Sequence, residues 1–198
     1  MTTTLDLMRH GEPVGGRKYR GQIDDPLSKK GWAQMHAALG ESVPWTQLVS
    51  SPLSRCRAFA ELLAERHGLP VMLDDRLKEV GFGVWEGKSA AEIEQAAPGS
   101  VAQFKADPLN ARPAGAEPLT DFHARVAAGL ADLLVQYAGR HILVVGHAGV
   151  MRMALAWALQ IPLENAYRIE VPGASLTRLR FEGGRASLIF HGGNLAGR

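Results

Sequence analysis

The sequence predicts an α/β fold, a three-layer α/β/α sandwich around a mostly parallel central sheet with antiparallel edge strands. Three observations carry this. Strand-like and helix-like segments alternate along most of the chain, the pattern of a layered α/β domain. One stretch, ILVV at 142–145, is continuously apolar, as in a central strand covered on both faces. Near the C-terminus two strand-like runs are joined by FEGGR, a hairpin turn that makes this end of the sheet antiparallel.

The elements follow in order. TLDLMR (4–9) alternates with period two and reads as the first strand. DPLSKKGWAQMHAALG (25–40) reads as a helix with Ser28 as N-cap and Gly40 closing it. TQLVSS (46–51) is a short second strand. It leads into a helix over 52–68, with Ser51 as cap, Pro52 in the first turn and Gly68 at the end. LPVMLDD (69–75) is a third strand, and SAAEIEQAAPG (89–99) is a helix with a Ser89–Glu92 capping box that stops at Pro98-Gly99. Residues 106–118, rich in Pro, Gly and Ala, read as a surface loop. TDFHARVAAGLADLLVQYAGR (120–140) is the longest helix, with an apolar stripe of Phe122, Val126, Leu130, Leu133 and Tyr137. HILVVGHAG (141–149) holds the central strand and VMRMALAWALQ (150–160) the next helix. YRIEV (167–171), SLTRLRF (175–181) and ASLIFH (186–191) are the last strand candidates, and the tail from His191 has the composition of a frayed end.

The 198 residues suit one domain over 1–198 with a sizeable core. A net charge of +2, without basic runs or basic–aromatic interleaving, argues against nucleic acid as a partner. No apolar run approaches the length of a membrane span, and the N-terminus lacks a signal-peptide pattern. Cys56 is the single cysteine, which excludes an internal disulfide framework and fits a reducing compartment. A cytoplasmic protein with no membrane partner is expected. Nothing in the sequence sets an oligomeric state.

The chemistry gathers at one sheet edge. His10 follows the first strand and His147 follows ILVV, so if both strands are parallel the two histidines emerge together at the carboxyl edge, where open α/β sheets bind ligands. The helix opening at Ser51-Pro52 offers N–H groups to an anion there, and Gly146 and Gly149 flank His147. Such a pocket suits a phosphate. On a helical wheel Arg55 shares a flank with Phe59 and Leu62, whereas Arg57 lies beside Glu61 and Glu65; Arg55 is therefore the better candidate to point into the site. His36, His67, His123, His141 and His191 read as structural or solvent-facing. WEGKS lacks the earlier glycine of a P-loop, no arginine stands six residues after Cys56 as a cysteine phosphatase requires, and the histidines lack metal-ligand spacing.

LMRHGE, SSPLSRC, LKEVGFGVWEG and VVGHAG together, in this order and spacing, resemble the histidine phosphatase superfamily, the phosphoglycerate-mutase-like group, over nearly the whole chain. The resemblance implies a small phosphorylated substrate and no metal or other cofactor. It implies His10 as the nucleophile that becomes phosphorylated, Arg9, Arg55 and His147 as ligands of the phosphoryl oxygens, and Glu79 as general acid; on the residues alone Glu12 is an alternative acid. The chemistry agrees: phosphoryl transfer is governed by positioning and electrostatic clamping, to which arginine's fixed fork of donors is suited. Phe82 and Trp85 would keep water from Glu79, and Gly11 would let backbone approach the phosphate closely.

The chain departs from this pattern at Gly16, where many members carry an asparagine in the phosphate pocket. Backbone N–H groups around Gly15, Gly16 and Gly21, or the side chains of Arg20 or Gln22, are the candidates to compensate, and Ala148 beside His147 completes the expected substrate-binding set. The N-terminal third is similar to α-ribazole-phosphatase-like proteins of bacterial cobalamin synthesis. Mutase and phosphoprotein-phosphatase activities, and a non-catalytic phospho-ligand-binding module, are the alternatives.

Overall fold

The computed structural model describes residues 1–41 and 43–196. Its strands are β1 (Thr2–Arg9), β2 (Gln47–Ser50), β3 (Val71–Leu73), β4 (His141–Gly146), β5 (Leu176–Glu182) and β6 (Arg185–Gly193). Its helices are α1 (Lys29–Leu39), α2 (Ser54–His67), α3 (Ala90–Ala96), α4 (Ser100–Ala106), α5 (Leu119–Gln136) and α6 (Ala148–Leu159). The strands form one sheet in the order β3-β2-β4-β1-β5-β6. β1 to β4 pair in parallel, while β5 runs antiparallel to both β1 and β6, as the hairpin required.

The sheet separates two apolar layers because its central strands bury both faces. Leu5 and Leu7 of β1, Val49 of β2, and Ile142 and Val144 of β4 pack with α5 and α6. Met8, Leu48, Leu143 and Val145 face the other way, with α1 and α2. The amphipathic stripe of α5 is buried at Phe122, Val126, Leu130 and Leu133. Ser28 caps α1 by accepting from the Gly31 N–H, and Ser89 and Glu92 form the capping box of α3.

Several boundaries differ from expectation. YRIEV is not a strand: residues Leu163–Arg168 make a 3-10 turn, and the carbonyls of Ile169 and Val171 accept from Arg152 and Arg9 instead of a neighbouring strand. After the Pro98-Gly99 stop, Gly99 at φ 82° restarts the chain as α4, which buries Val101 and Phe104 one turn apart. The helix after Ser51 begins only at Ser54, so Pro52 precedes it and Ser51 is not its cap. α5 ends at Gln136, and α6 begins two residues early, at Ala148. β3 shrinks to three residues because Asp74 caps a following 3-10 turn. The tail is held rather than frayed as far as Leu195, which is buried and donates its N–H to the Ala38 carbonyl; residues 197–198 lie outside the described residues.

One buried charge fixes the sheet away from the histidines. Asp6 is 0% exposed and accepts from Arg178 (2.7 and 2.8 Å), Trp45 Nε1 (2.8 Å) and His141 Nε2 (3.0 Å). Burial alone would raise its pKa, but the Arg178, His141 and Trp45 bonds together hold it below the usual carboxylate value. Removing one member of such a buried pair strands the others at a cost of about 3–5 kcal/mol. Asp6→Ala should therefore lower the urea midpoint markedly at pH 7. The loss should shrink toward pH 3, because a carboxylate with a lowered folded pKa stabilises only above its titration. An unchanged midpoint at pH 7 would refute this role.

Candidate active site

The parallel register brings the two histidines together. Arg9, at the end of β1, is the partner of Gly146, at the end of β4, so His10 and His147 leave the sheet side by side. The His10 N–H donates to the Gly146 carbonyl (3.0 Å), and the two rings meet edge to face at 5.2 Å. His10 is 8% exposed and His147 0%.

His10 Nδ1 lies 2.7 Å from the Gly11 carbonyl. A carbonyl only accepts, so Nδ1 carries the ring proton and Nε2 keeps the lone pair. Burial pushes the His10 pKa down to about 3, Arg55 adds to this, the Gly11 bond opposes it, and Arg9 and Arg20 lower it further. The ring is neutral at pH 7. Burial first, then Arg55 and His10, also hold His147 well below the ordinary histidine value. His147 Nε2 sits 2.8 Å from Ser51 Oγ, a hydroxyl that accepts from the Leu53 N–H (3.3 Å) and has its own hydrogen to give to Nε2, leaving Nδ1–H as the ring's donor. The buried Cys56 lies behind it, its Sγ 3.6 Å from His147 Nε2, and burial raises its pKa so that it stays a thiol rather than a nucleophile.

Two arginines face this pair and are held by backbone rather than by carboxylates. Arg55, 1% exposed, donates from Nη1 to the Ile23 carbonyl (2.7 Å) and from Nη2 to that of Gly21 (2.8 Å). Arg9 donates from Nη1 to the Val171 carbonyl (2.6 Å). The Nε of each is buried and, among the described residues, has no hydrogen-bond partner. A buried donor left open is costly unless a ligand takes it, so both guanidinium groups are set for an anion.

Glu79 accepts from the Val80 N–H at Oε1 (2.9 Å) and from the Gly149 N–H at Oε2 (3.2 Å), which places its carboxylate at the N-terminus of α6. A Cβ on Gly149 would collide with Glu79 Oε1. Arg125 of α5 fixes the backbone behind it: Nη1 donates to the carbonyls of Arg76 (2.6 Å) and Lys78 (2.8 Å), and Nη2 to that of Glu79 (3.1 Å). Its partner Glu117, bound at Arg125 Nε (2.7 Å), accepts from the Gly81 N–H. Glu12 pairs with Lys30 (2.9 Å), and its side chain is partly exposed.

The structure thus gathers His10, His147, Arg9, Arg55 and Glu79, with Ala148 opening the helix beside them. Arg20 and Gly21 serve from behind. Arg20 pairs with Asp25 (2.8 Å) and donates to the carbonyls of Val14 and Gly16, tying the loop that carries the Arg55 acceptors. Gly21, at φ 53°, leaves no room for a Cβ beside Glu86 Oε1. Gln22 is exposed and its backbone N–H donates to Glu86 (3.2 Å). Gly15 and Gly16 both take left-handed φ, at 82° and 73°, which glycine adopts without strain.

Three physical reasons given by the sequence change. At the N-terminus of α2 the Ser54 N–H is already taken, by Asp24 Oδ1 (2.6 Å). Gly11 is needed because a Cβ there would run into the Gly31 carbonyl of α1. Phe82 and Trp85 pack against Tyr19 and Phe104, with ring centroids 5.1–6.1 Å apart. Sequence reasoning missed Ser51 as a partner of His147, since its position before a helix pointed to a cap. It also missed the Arg125–Glu117 brace, whose members lie 38 and 46 residues beyond Glu79 with no local signal. Among the described residues no group of three or more His, Cys, Asp or Glu could hold a metal, and no helix is long and apolar enough to cross a membrane.

Comparison with known proteins gives a consistent result. The family model described as histidine phosphatase superfamily (branch 1) matches residues 5–192. A bifunctional protein of Mycobacterium tuberculosis is 34% identical over 192 residues; the match takes in 94% of this chain but only 52% of that protein, so the chain spans about half the length of this relative. A glucosyl-3-phosphoglycerate phosphatase of the same organism is 35% identical over 175 residues, 81% of this chain and 77% of the relative. The native structure of the mycobacterial glucosyl-3-phosphoglycerate phosphatase superposes with a TM-score of 0.87 at 30% identity, covering 98% of this chain and 100% of that one. A candidate alpha-ribazole-5′-P phosphatase of Escherichia coli superposes with a TM-score of 0.83 at 26% identity, covering 98% and 97%.

Proposed function

The chain belongs to the histidine phosphatase superfamily, branch 1, and on that premise we propose that its 198 residues form one phosphomonoesterase domain acting through a phosphohistidine, without metal, on a small phosphorylated metabolite. The observation that carries this is the state of His10: neutral, with Nδ1–H committed to Gly11 and Nε2 free to attack, between two arginines whose Nε groups have no partner among the described residues.

His10 Nε2 attacks phosphorus while Arg9, Arg55 and His147 hold the equatorial oxygens, where charge is spread in the transition state. The bond from phosphorus to the leaving oxygen breaks, and that oxygen takes the proton of the Glu79 carboxyl group. Glu79, now a carboxylate, takes a proton from water, whose oxygen attacks phosphorus. The phosphorus–nitrogen bond breaks, His10 recovers its lone pair, Glu79 is again protonated, and inorganic phosphate leaves. A cytoplasmic setting belongs to this reading and is supported by the sole cysteine being a buried thiol.

The relatives supply the substrates to try. Phosphate release should be measured with EDTA present, over α-ribazole 5′-phosphate, glucosyl-3-phosphoglycerate, 3-phosphoglycerate, fructose bisphosphate and a phosphohistidine peptide. At least one ester should be hydrolysed with transient labelling of a histidine. Binding without turnover of any of them, or of an aryl phosphate, would replace this reading with the non-catalytic module. Phosphoryl exchange without net release would point to the mutase.

A further inference from the structure

The loop that leads into β5, residues 169–175, is held by side chains from three elements. Its first three carbonyls each accept from a different one: Ile169 from Arg152 Nε of α6 (3.0 Å), Glu170 from His191 Nε2 of β6 (2.7 Å) and Val171 from Arg9 Nη1 of β1 (2.6 Å). The same loop grips the backbone of the nucleophile. The Arg9 N–H donates to the Ser175 carbonyl (3.0 Å), and the Ala174 N–H to the His10 carbonyl (3.2 Å). Ala174 takes φ 56°, a left-handed conformation that a residue with a Cβ keeps only where its surroundings impose it. His191 is aimed at this loop by an irregularity in β6. Between the pairs Leu176–Gly193 and Arg178–Phe190, β6 advances one residue more than β5, a bulge that contains Gly192 at φ 69°. A carbonyl only accepts, so His191 Nε2 carries a ring proton, and Nδ1 faces the hydroxyl of the buried Thr177 at 2.7 Å. Both ring nitrogens are engaged within the protein, contrary to the expectation of a frayed tail from this residue.

We infer that His191 is a positioning residue of the phosphate site: through the Glu170 carbonyl it sets that of Val171, and through Val171 the Arg9 guanidinium. This rests on the phosphatase reading, in which Arg9 holds a phosphoryl oxygen, and deepens it with a residue that touches no substrate. Among the described residues the Val171 carbonyl is the single hydrogen-bond acceptor of the Arg9 side chain, so the aim of that side chain depends on where this carbonyl points. Peptide units are planar, and those carrying the Glu170 and Val171 carbonyls meet at the Val171 Cα. Fixing the first therefore leaves two backbone torsions to place the second. Packing does little of this work at the outer side of the loop, where Glu170, Pro172 and Gly173 are exposed. The His191 ring supplies the missing tie, from Thr177 in the floor of the sheet to the exposed loop above it.

The test replaces the two ring nitrogens separately. His191→Gln sets an amide nitrogen near the place of Nε2 and keeps a donor for Glu170, whereas His191→Asn reaches only as far as Nδ1 and keeps a partner for Thr177 alone. His191→Asn should lower kcat/KM about 10-fold, equally for 3-phosphoglycerate and p-nitrophenyl phosphate, because Arg9 acts on phosphoryl oxygens that both esters share. Calorimetry with inorganic phosphate should show a matching loss of affinity. His191→Gln should stay within about 3-fold of wild type in both measurements. In Arg9→Ala protein, His191→Asn should cause no further loss of turnover or of phosphate binding, since effects that pass through one side chain do not add. A loss that adds in full to that of Arg9→Ala, or equal losses in the Asn and Gln variants, overturns the inference. So does an unchanged kcat/KM in His191→Asn, whatever happens to its urea midpoint, and the phosphatase reading then stands. Absence of turnover of any ester by wild-type protein defeats the phosphatase reading instead, and the phosphate affinities then decide the role of His191 alone.

Discussion

Replacing His10 by alanine should abolish turnover, lowering kcat by at least about 10⁴-fold, since a nucleophile that forms the covalent intermediate has no substitute at its position. Labelling of the protein by a radiolabelled phosphate ester should vanish with it. Inorganic phosphate should still bind within a few-fold of its wild-type affinity, because Arg9, Arg55 and His147 keep their own anchors at Val171, at Gly21 and Ile23, and at Ser51. Retention of phosphate binding separates loss of chemistry from loss of fold. Full hydrolysis of an aryl phosphate by this variant would refute the assignment.

The same substitution should change how stability depends on acid. In the unfolded chain a histidine takes up a proton below about pH 6.5, whereas folded His10 stays neutral until about pH 3, because burial and then Arg55 oppose its charge. A group whose folded pKa is depressed withdraws stability as pH falls below the unfolded value, by about 1.4 kcal/mol per pH unit. His10→Ala removes one such group, so the drop in unfolding free energy between pH 7 and pH 5 should shrink by about 2 kcal/mol. Denaturant curves at the two pH values measure this. An identical drop in both proteins would mean that His10 titrates normally, and that its neutrality at pH 7 owes nothing to the site.

Much of this was legible in the sequence because it depended on pattern. Period-two alternation placed β1, a continuous apolar run placed β4, and the parallel order of these two was enough to bring His10 and His147 to one edge. Helical spacing separated the buried Arg55 from Arg57, which pairs with Glu61 at the surface. What escaped was set by tertiary acceptors that carry no local mark. YRIEV has the composition of a strand, yet its carbonyls serve arginines from β1 and α6. Ser51 has the look of a cap, yet its hydroxyl orients His147. Asp24 takes the Ser54 N–H at a helix N-terminus that the sequence left open to phosphate.

Glu79→Gln should separate the two halves of the reaction. With an alkyl ester such as 3-phosphoglycerate the departing alkoxide needs a proton, and loss of a general acid lowers kcat by about 10²–10⁴-fold. With p-nitrophenyl phosphate the phenolate leaves unaided, so the first step should stay fast while hydrolysis of phospho-His10, which needs Glu79 as base, becomes slow. The expected record is a burst of nitrophenol equal to the enzyme concentration, followed by a slow steady rate, with phosphohistidine accumulating. Glutamine keeps one oxygen, so one of the Val80 and Gly149 N–H groups, which bond to different Glu79 oxygens, retains its acceptor, and the Arg125 anchor on the Glu79 carbonyl is backbone and unaffected. Glu12→Gln is the control: it loses only a surface pair with Lys30, worth about 0–1 kcal/mol, and should show neither the burst nor the alkyl-specific loss. If the burst appeared in Glu12→Gln instead, the acid would lie on the RHGE loop and the Gly149 contact would be structural. Equal loss on alkyl and aryl esters in Glu79→Gln, without a burst, would place Glu79 in binding rather than proton transfer, since binding the phosphoryl group does not distinguish one leaving group from another.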